Sequence, residues 1–448
     1  MWRLVIGVIL CLSCLAQSPS GADLYQSGEF ERARAVLESE AESPEKHFWL
    51  GYTYLALSAR DRAVAAFEAY LKTQPDDEDV LYALAQTYAQ LAEMSLQQIF
   101  RIDSTSARSY QMRAIRFELE SSWPEALLHY EKAARLDPEL PGVYAAMGRI
   151  HEKELRNPEA ARDAYTAELK RFPLSREAHT FFAKRGLRKE SRTILDACFG
   201  SEERPCPIET GGRGRYRAAF LLSRGEPEKA LPELLEWRSR EPQSTDVYYY
   251  LGEAFTDLKV RTIQRLKQAR PTSFRLHQLL AESYASTHRN AEAIPEYRKA
   301  IELSPKTPGL HYDLARLLAD SEINEAIEHL KAELELDPRH YPAQALLGRI
   351  YVVLQQPEKA LPYLESAIAA RPGLLEAHKA LGQARAARKE FAKALEQYQI
   401  VAAAQPADEQ IHFLRAQALQ QLGRLDEAAE ARKRHQQVLQ EIREQARQ

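Results

Sequence analysis

His151 and Glu152 begin the motif by which a zinc-peptidase helix sets two imidazoles one turn apart around a catalytic glutamate, but Leu155 stands where the second His must be. The other histidines, of twelve in all, lack ligand spacing. Gly211-Gly212-Arg213-Gly214 has the look of a phosphate loop, yet no buried strand precedes it and no Gly-Lys-Ser/Thr ending follows, so it reads as an ordinary loop. A Gly-x-Ser-x-Gly elbow is absent, and the scattered Glu/Asp pairs are those of solvated helix faces. Tyr248-Tyr249-Tyr250 falls in a helical stretch, where packing explains it better than a stacking platform. No residue is nominated as catalytic, cofactor-binding or metal-ligating, and the chain is read as a non-enzyme without cofactors.

The cysteines bear on compartment. Met1-Trp2-Arg3 is a short positive start, and Leu4 to Ala16 is an apolar run of about 13 residues. Such a run is short for a hydrocarbon core of ~30 Å and suits the central region of a secretory signal. Small residues at Cys14-Leu15-Ala16 and at Ser20-Gly21-Ala22 offer cleavage positions, so residues 1–22 are read as a signal peptide. The expectation is an exported chain, periplasmic or secreted, with no membrane span after cleavage. An uncleaved anchor through the N-terminal segment is the alternative, and a lipid anchor fits less well because Cys11 occupies the bulky position before Cys14. Cleavage leaves Cys198 and Cys206, whose intervening Phe-Gly-Ser-Glu-Glu-Arg-Pro closes a small polar loop, and in an oxidising compartment they are a disulfide candidate. Two thiols without a nearby His supply half of a zinc shell.

What must position these residues is helical. The chain has 448 residues, 45% hydrophobic and 28% charged, which fits a folded protein, and only 18 are Gly. Ala, Leu, Glu, Lys, Arg and Gln dominate, the strong helix formers. A formal net charge of −3 gives no whole-chain reason to expect nucleic acid or an acidic membrane as partner.

Ser273 to Pro305 sets the rhythm: Leu280, Ala281, Tyr284, Ala293, Tyr297, Ala300 and Pro305 have the spacing of two amphipathic helices joined by a tight turn. Leu50, Gly51, Tyr54, Ala63, Phe67, Tyr70 and Pro75 repeat it, as do Leu347, Gly348, Tyr351, Ala360, Leu364, Ala367 and Pro372. Ala22 to Glu40 is a pair lacking much of its first helix. Leu84, Ala85 and Tyr88 open a unit whose second helix, Met94 to Asp103, keeps an apolar face without the small residue. From Leu174 to Cys198 the register fails, although Ala178 to Lys184 and Glu190 to Ala197 stay helical in pattern. Phe199 to Arg215, rich in Gly and Pro, is a loop. Residues 23–198 are thus an N-terminal repeat array, 199–215 a Cys/Gly/Pro-containing loop, and 216–448 a C-terminal array with a final helix.

These units resemble the tetratricopeptide repeat, a family with units of about 34 residues. The likeness covers most of Ala22 to Gln440, about a dozen units, several imperfect. It implies an all-α, right-handed superhelical solenoid of stacked antiparallel helix pairs, in which neighbours bury a face that one pair cannot bury alone. A longer repeat lies above the short one: Asp79-Val80, Ser106, Arg108, Gln111, Tyr130 and Pro138 each recur 167 residues on, at Asp246-Val247, Ser273, Arg275, Gln278, Tyr297 and Pro305. We read this as a duplicated block.

In the family, first helices line the inner groove where ligand peptides lie. The register extrapolated onto this chain puts Arg149, Arg316 and Arg349 at equivalent groove-facing places, and Arg108 and Arg275 near the starts of their first helices. Arg offers a rigid fork of donors suited to carboxylates. The groove reading is capture of an acidic segment or chain terminus; local salt bridging with neighbouring Glu is the simpler reading and the favoured one. The functional expectation is a protein- or peptide-binding scaffold of the cell envelope. Its rivals are a structural component of an envelope assembly or export machine and, less well supported, an enzyme with its site in the irregular middle.

Overall fold

The computed structural model describes residues 19–172, 175–185, 218, 221, 222 and 224–445. The signal region, Cys198, Cys206 and the loop 199–215 lie outside them. Among the described residues there are 22 helices and no strand. The chain divides into two compact units, Met1–Thr272 and Ser273–Gln448, whereas the sequence reading divides the arrays at 199–215.

In the first unit, helix pairs follow one another: α1 (Gly21–Gln26) with α2 (Phe30–Ser39), then α3 (Pro44–Ala56) with α4 (Arg60–Leu71). After the single helix α5 (Glu78–Ile102) come α6 (Ala107–Leu119) with α7 (Trp123–Leu136), α8 (Val143–Lys153) with α9 (Pro158–Arg171), and α10 (Arg176–Lys184). Helices α11 (Pro227–Arg240) and α12 (Thr245–Ala269) complete the unit. The second unit holds five further pairs: α13 (Phe274–Ser286) with α14 (Asn290–Leu303), α15 (Leu310–Leu318) with α16 (Ile323–Leu336), and α17 (Tyr341–Val353) with α18 (Pro357–Ala370). The last two are α19 (Leu375–Ala387) with α20 (Phe391–Ala404), and α21 (Glu409–Gln421) with α22 (Leu425–Gln445).

Seven of the pairs turn in the same way. Seven residues after the small residue of the first helix the backbone enters the left-handed region, at Ser58, Ser121, His288, Gln355 and Lys389 as well as at Gly28 and Gly423. Such a residue exposes the last carbonyls to the amides that follow, and Ala59 donates to Tyr54 O at 2.8 Å across that turn. The small residue itself is a spacing device. At Gly382 an added Cβ would come within 2.3 Å of the Tyr398 ring, so only hydrogen lets the two helices of the pair approach. In the second unit the pairs are also tied in series. His311, Gln344, His378 and His412 each turn a side-chain nitrogen to the carbonyl of the proline six residues earlier, at 3.2, 2.7, 2.9 and 2.9 Å.

The expectation of a helix pair over Leu84 to Asp103 is corrected: α5 is one unbroken helix of 25 residues, and so is α12. No Gly, Pro or Asn stands between Leu84 and Asp103 to supply a turn. The two long helices pack antiparallel against each other, and Tyr88 stacks on Phe255, the residue 167 places later, with centroids 6.2 Å apart. Every one of the nine buried residues of α12 stands 167 places after a buried residue of α5. Ser95 and Thr262, equivalent in that register, each hydrogen-bond the carbonyl four residues back, at 2.7 and 2.8 Å. Where Gly382 faces the second helix of its own pair, Gly252 faces Leu96 of α5, with room for no Cβ. The C-terminal half of α5 therefore stands in as the missing second helix of α12.

Candidate functional site

The five arginines singled out in the sequence meet different fates. Arg108 on α6 is a buried pin, 1% exposed, rather than a groove contact. Its Nε donates to Asp246 Oδ1 at 2.6 Å, Nη1 to Gln111 Oε1 at 2.6 Å and Nη2 to Tyr250 Oη at 3.1 Å. The guanidinium lies 4.0 Å from the Tyr249 ring centroid, so the tyrosine run packs and holds a cation. A buried charge needs this full set of partners to offset its lost hydration. Arg149 on α8 bridges Glu118 at 2.9 Å and Glu177 at 3.3 Å, the salt bridging that competes with the groove reading. Those carboxylates hold its guanidinium protonated to above the ordinary range, against desolvation. Arg275, the counterpart of Arg108, is half-buried, hydrogen-bonds Gln278 at 3.0 Å and lies 4.7 Å from the Phe274 ring centroid.

Arg316 on α15 and Arg349 on α17 differ. Both are exposed, stand at the same register, and make no hydrogen bond or ion pair among the described residues. Burial raises the phenol of Tyr312, and the charges of both arginines act against that rise, so the two side chains share one neighbourhood. Beside Arg316, burial pushes the Asp313 carboxyl up to about 6. This corner of the second unit holds two cations without a hydrogen-bonded carboxylate, and the Arg316 charge acts against the rise of Asp313.

The remaining sequence candidates do not assemble a catalytic site. Glu152 accepts from Arg185 at 2.8 Å and from Tyr165 Oη at 3.4 Å, which occupies the carboxylate beside His151. Among the described residues no group of three His, Cys, Asp or Glu could hold a metal, and no helix is long and apolar enough to cross a membrane.

Two buried carboxylates that sequence reading passed over hold helix starts. Glu168 of α9 accepts from Ala145 N at 3.2 Å, and Glu333 of α16 accepts from Gly309 N at 2.7 Å and Tyr312 N at 3.3 Å. Both serve a first helix entered through Pro-Gly, at Pro141-Gly142 and Pro308-Gly309, where glycine takes φ +84° and +93°. Burial pushes Glu168 up to about 7. The signal was present in sequence as a Glu recurring in the second helix of both Pro-Gly units.

Comparison with known proteins agrees with this geometry. Models of the tetratricopeptide repeat match residues 20–78 and 377–437, 274–307, and 317–384. No curated protein matches the chain. Among solved structures, a crystal structure of MamA protein is 22% identical, with 38% of this chain and 94% of that chain covered and a TM-score of 0.35. MamA 41-end from Desulfovibrio magneticus RS-1 has the same identity, with 38% and 96% covered and a TM-score of 0.35. YrrB, described as a TPR protein with an unusual peptide-binding site, is 20% identical, with 39% and 91% covered and a TM-score of 0.36. With its small-residue spacing, its left-handed turns and the family models that match residues 20–78, 274–307, 317–384 and 377–437, the chain is a tetratricopeptide repeat protein, an architecture of protein–protein interaction.

Proposed function

We propose that this protein is a non-enzymatic scaffold of the cell envelope whose second unit receives an acidic segment of a partner. The observation that carries this reading is the pair Arg316 and Arg349, exposed, adjacent to Tyr312 and making no hydrogen bond or ion pair with a carboxylate among the described residues. The three other candidate arginines already have internal partners. Exposed guanidinium groups without a hydrogen-bonded partner have no internal pair to break before they meet a carboxylate, whereas a satisfied pair must first be broken. Binding of a labelled glutamate-rich peptide, followed by fluorescence anisotropy, should fall at least tenfold in Arg316→Glu/Arg349→Glu. Unchanged affinity would sink the reading.

Export is supported by the charged start, the apolar run from Leu4 to Ala16 and the small residues after it. In that compartment Cys198 and Cys206 would pair. N-terminal sequencing of the protein purified from the envelope fraction tests the first point, with a mature terminus near Ala22 expected. Alkylation with and without reductant, read by mass, tests the second; two free thiols in the exported chain would rule out the bridge.

A further inference from the structure

The first unit holds a cation where the repeat elsewhere puts a leucine. Leu50, Leu84, Leu314, Leu347 and Leu381 each stand one residue before the small residue of a first helix, and all are buried. On α6 that place is taken by Arg113, before Ala114. Arg149, Arg316 and Arg349 stand one residue after the small residue, so about 200° of helix separates Arg113 from their side. Arg113 is half-buried beside the end of α5, with Nη2 donating to Ser104 O at 2.8 Å and the guanidinium 5.8 Å from the Phe100 ring centroid.

Two more cations join it, and rings hold them. Tyr110 and Phe117 stack on His129, with centroids 5.8 and 5.2 Å away. Lys132 Nζ lies 4.4 Å and the Arg113 guanidinium 5.0 Å from the Tyr110 centroid, and Arg116 lies 5.7 Å from that of Phe117. Arg113 and Lys132 make no ion pair among the described residues, and Arg116 reaches Glu120 at 3.3 Å on exposed surface. On α7, Glu131 pairs with Arg135 at 3.6 Å and Glu125 complements the helix dipole in the first turn. A hydrogen bond from Lys132, with the charges of Lys132 and Arg113, holds the Tyr110 phenol below its ordinary value. Burial, and then the charges of Arg113, Lys132 and Arg116, lower the His129 imidazole.

Leucines flank the cations. Leu128 and Leu136, 57% and 55% exposed, lie one turn before and one turn after Lys132 on the same face of α7. The ring faces meet one another and the cations, so they fix the charges in place rather than offer a platform to a base or a sugar ring. A lipid layer presents phosphate at the level of the cations and acyl chain beneath it, where a leucine is covered. We infer that this side of the first unit lies on an anionic lipid surface, with Arg113, Arg116 and Lys132 among the headgroup phosphates and Leu128 and Leu136 reaching the acyl chains. Neither Arg316 nor Arg349 takes part. The chain as a whole carries −3, so the attraction is local to this face and added salt should weaken it.

The full chain is sedimented with vesicles of phosphatidylcholine, alone or mixed with phosphatidylglycerol. Affinity for the mixed vesicles should exceed that for the neutral ones at least tenfold, and equal affinity overturns the inference. Arg113→Leu/Lys132→Gln removes two charges and restores the leucine of the other repeats, with circular dichroism melts to confirm the fold. Binding should fall about thirtyfold, about fivefold for each charge lost. Lys299→Gln/Lys306→Gln, a charge-matched change at exposed lysines of the second unit, should bind like the parent chain. An equal fall there would reduce the effect to net charge and overturn the assignment of the face. Leu128→Ser/Leu136→Ser should weaken binding at least fivefold; unchanged binding would exclude acyl chains and overturn the lipid surface. Release by inorganic phosphate at constant ionic strength would mark a free-anion site. Preference for the glutamate-rich peptide over the mixed vesicles, lost in Arg113→Leu/Lys132→Gln, would mark an acidic protein partner, and either result overturns the lipid surface.

Discussion

Arg108 and Glu168 show what a single side chain does once the solenoid closes around it. Asp246 is the carboxylate that compensates Arg108, so Asp246→Ala leaves a buried cation with Gln111, Tyr249 and Tyr250 alone. Removal of one member of a buried pair costs about 3–5 kcal/mol, and urea unfolding of Asp246→Ala should show a loss of that order. Glu168 titrates in the opposite sense from most structural carboxylates. Its folded-state pKa of about 7 lies above the ordinary 4.5, so its contribution is full below about 4.5 and is lost as pH rises through about 7. That displacement corresponds to about 3 kcal/mol. Glu168→Gln keeps an acceptor for the Ala145 amide and removes that titration, so its stability should decline less than that of the parent chain across pH 4.5–7.5. Parallel pH profiles would refute this. The role of Arg108 was not visible in the sequence, because Arg108 and Asp246 are 138 residues apart, and the recurring Glu of the Pro-Gly units did not disclose that Glu168 is buried, a property of the packed helices.

At the level of the helix pair, the turn is the sensitive element. His288 is exposed and held at φ 57°, a conformation that costs a non-glycine residue about 1–2 kcal/mol. His288→Gly should therefore stabilise the chain, by up to about 1 kcal/mol after the entropy that glycine adds to the unfolded state. A lower melting temperature would contradict that account. The small residues beside these turns were legible at once, since Gly382 against Tyr398 and Gly51 against Phe67 follow from residue type and spacing alone. The series of ties from His311, Gln344, His378 and His412 to a proline carbonyl was not read, although Pro-to-His at a constant six residues was there to be seen. It escaped because the consensus pattern directs attention to small and aromatic positions, and these side chains do neither job. His311 is further engaged through Nδ1 with His329 Nδ1 at 2.8 Å, and burial together with that imidazole keeps His329 from protonating at its ordinary pH.

The first unit as a whole depends on two helices far apart in the chain. Since α5 supplies a second helix to α12, the two should open together. In native-state hydrogen exchange, Phe255→Ala should lower protection in α5 as much as in α12, at a cost of about 3–5 kcal/mol. Loss of protection confined to α12 would show that the two fold independently. The repeat period, most of the helix pairs and the 167-residue register were legible in the sequence by itself, because local propensity and side-chain spacing specify a helix and which face it buries. Only the tertiary structure decided that two interrupted repeats complete each other, that Arg108 and Arg149 are consumed by internal partners, and that Arg316 and Arg349 are left open. Those outcomes depend on which charges and faces meet across long separations, and pairing of that kind is settled by packing and desolvation rather than by spacing along the chain.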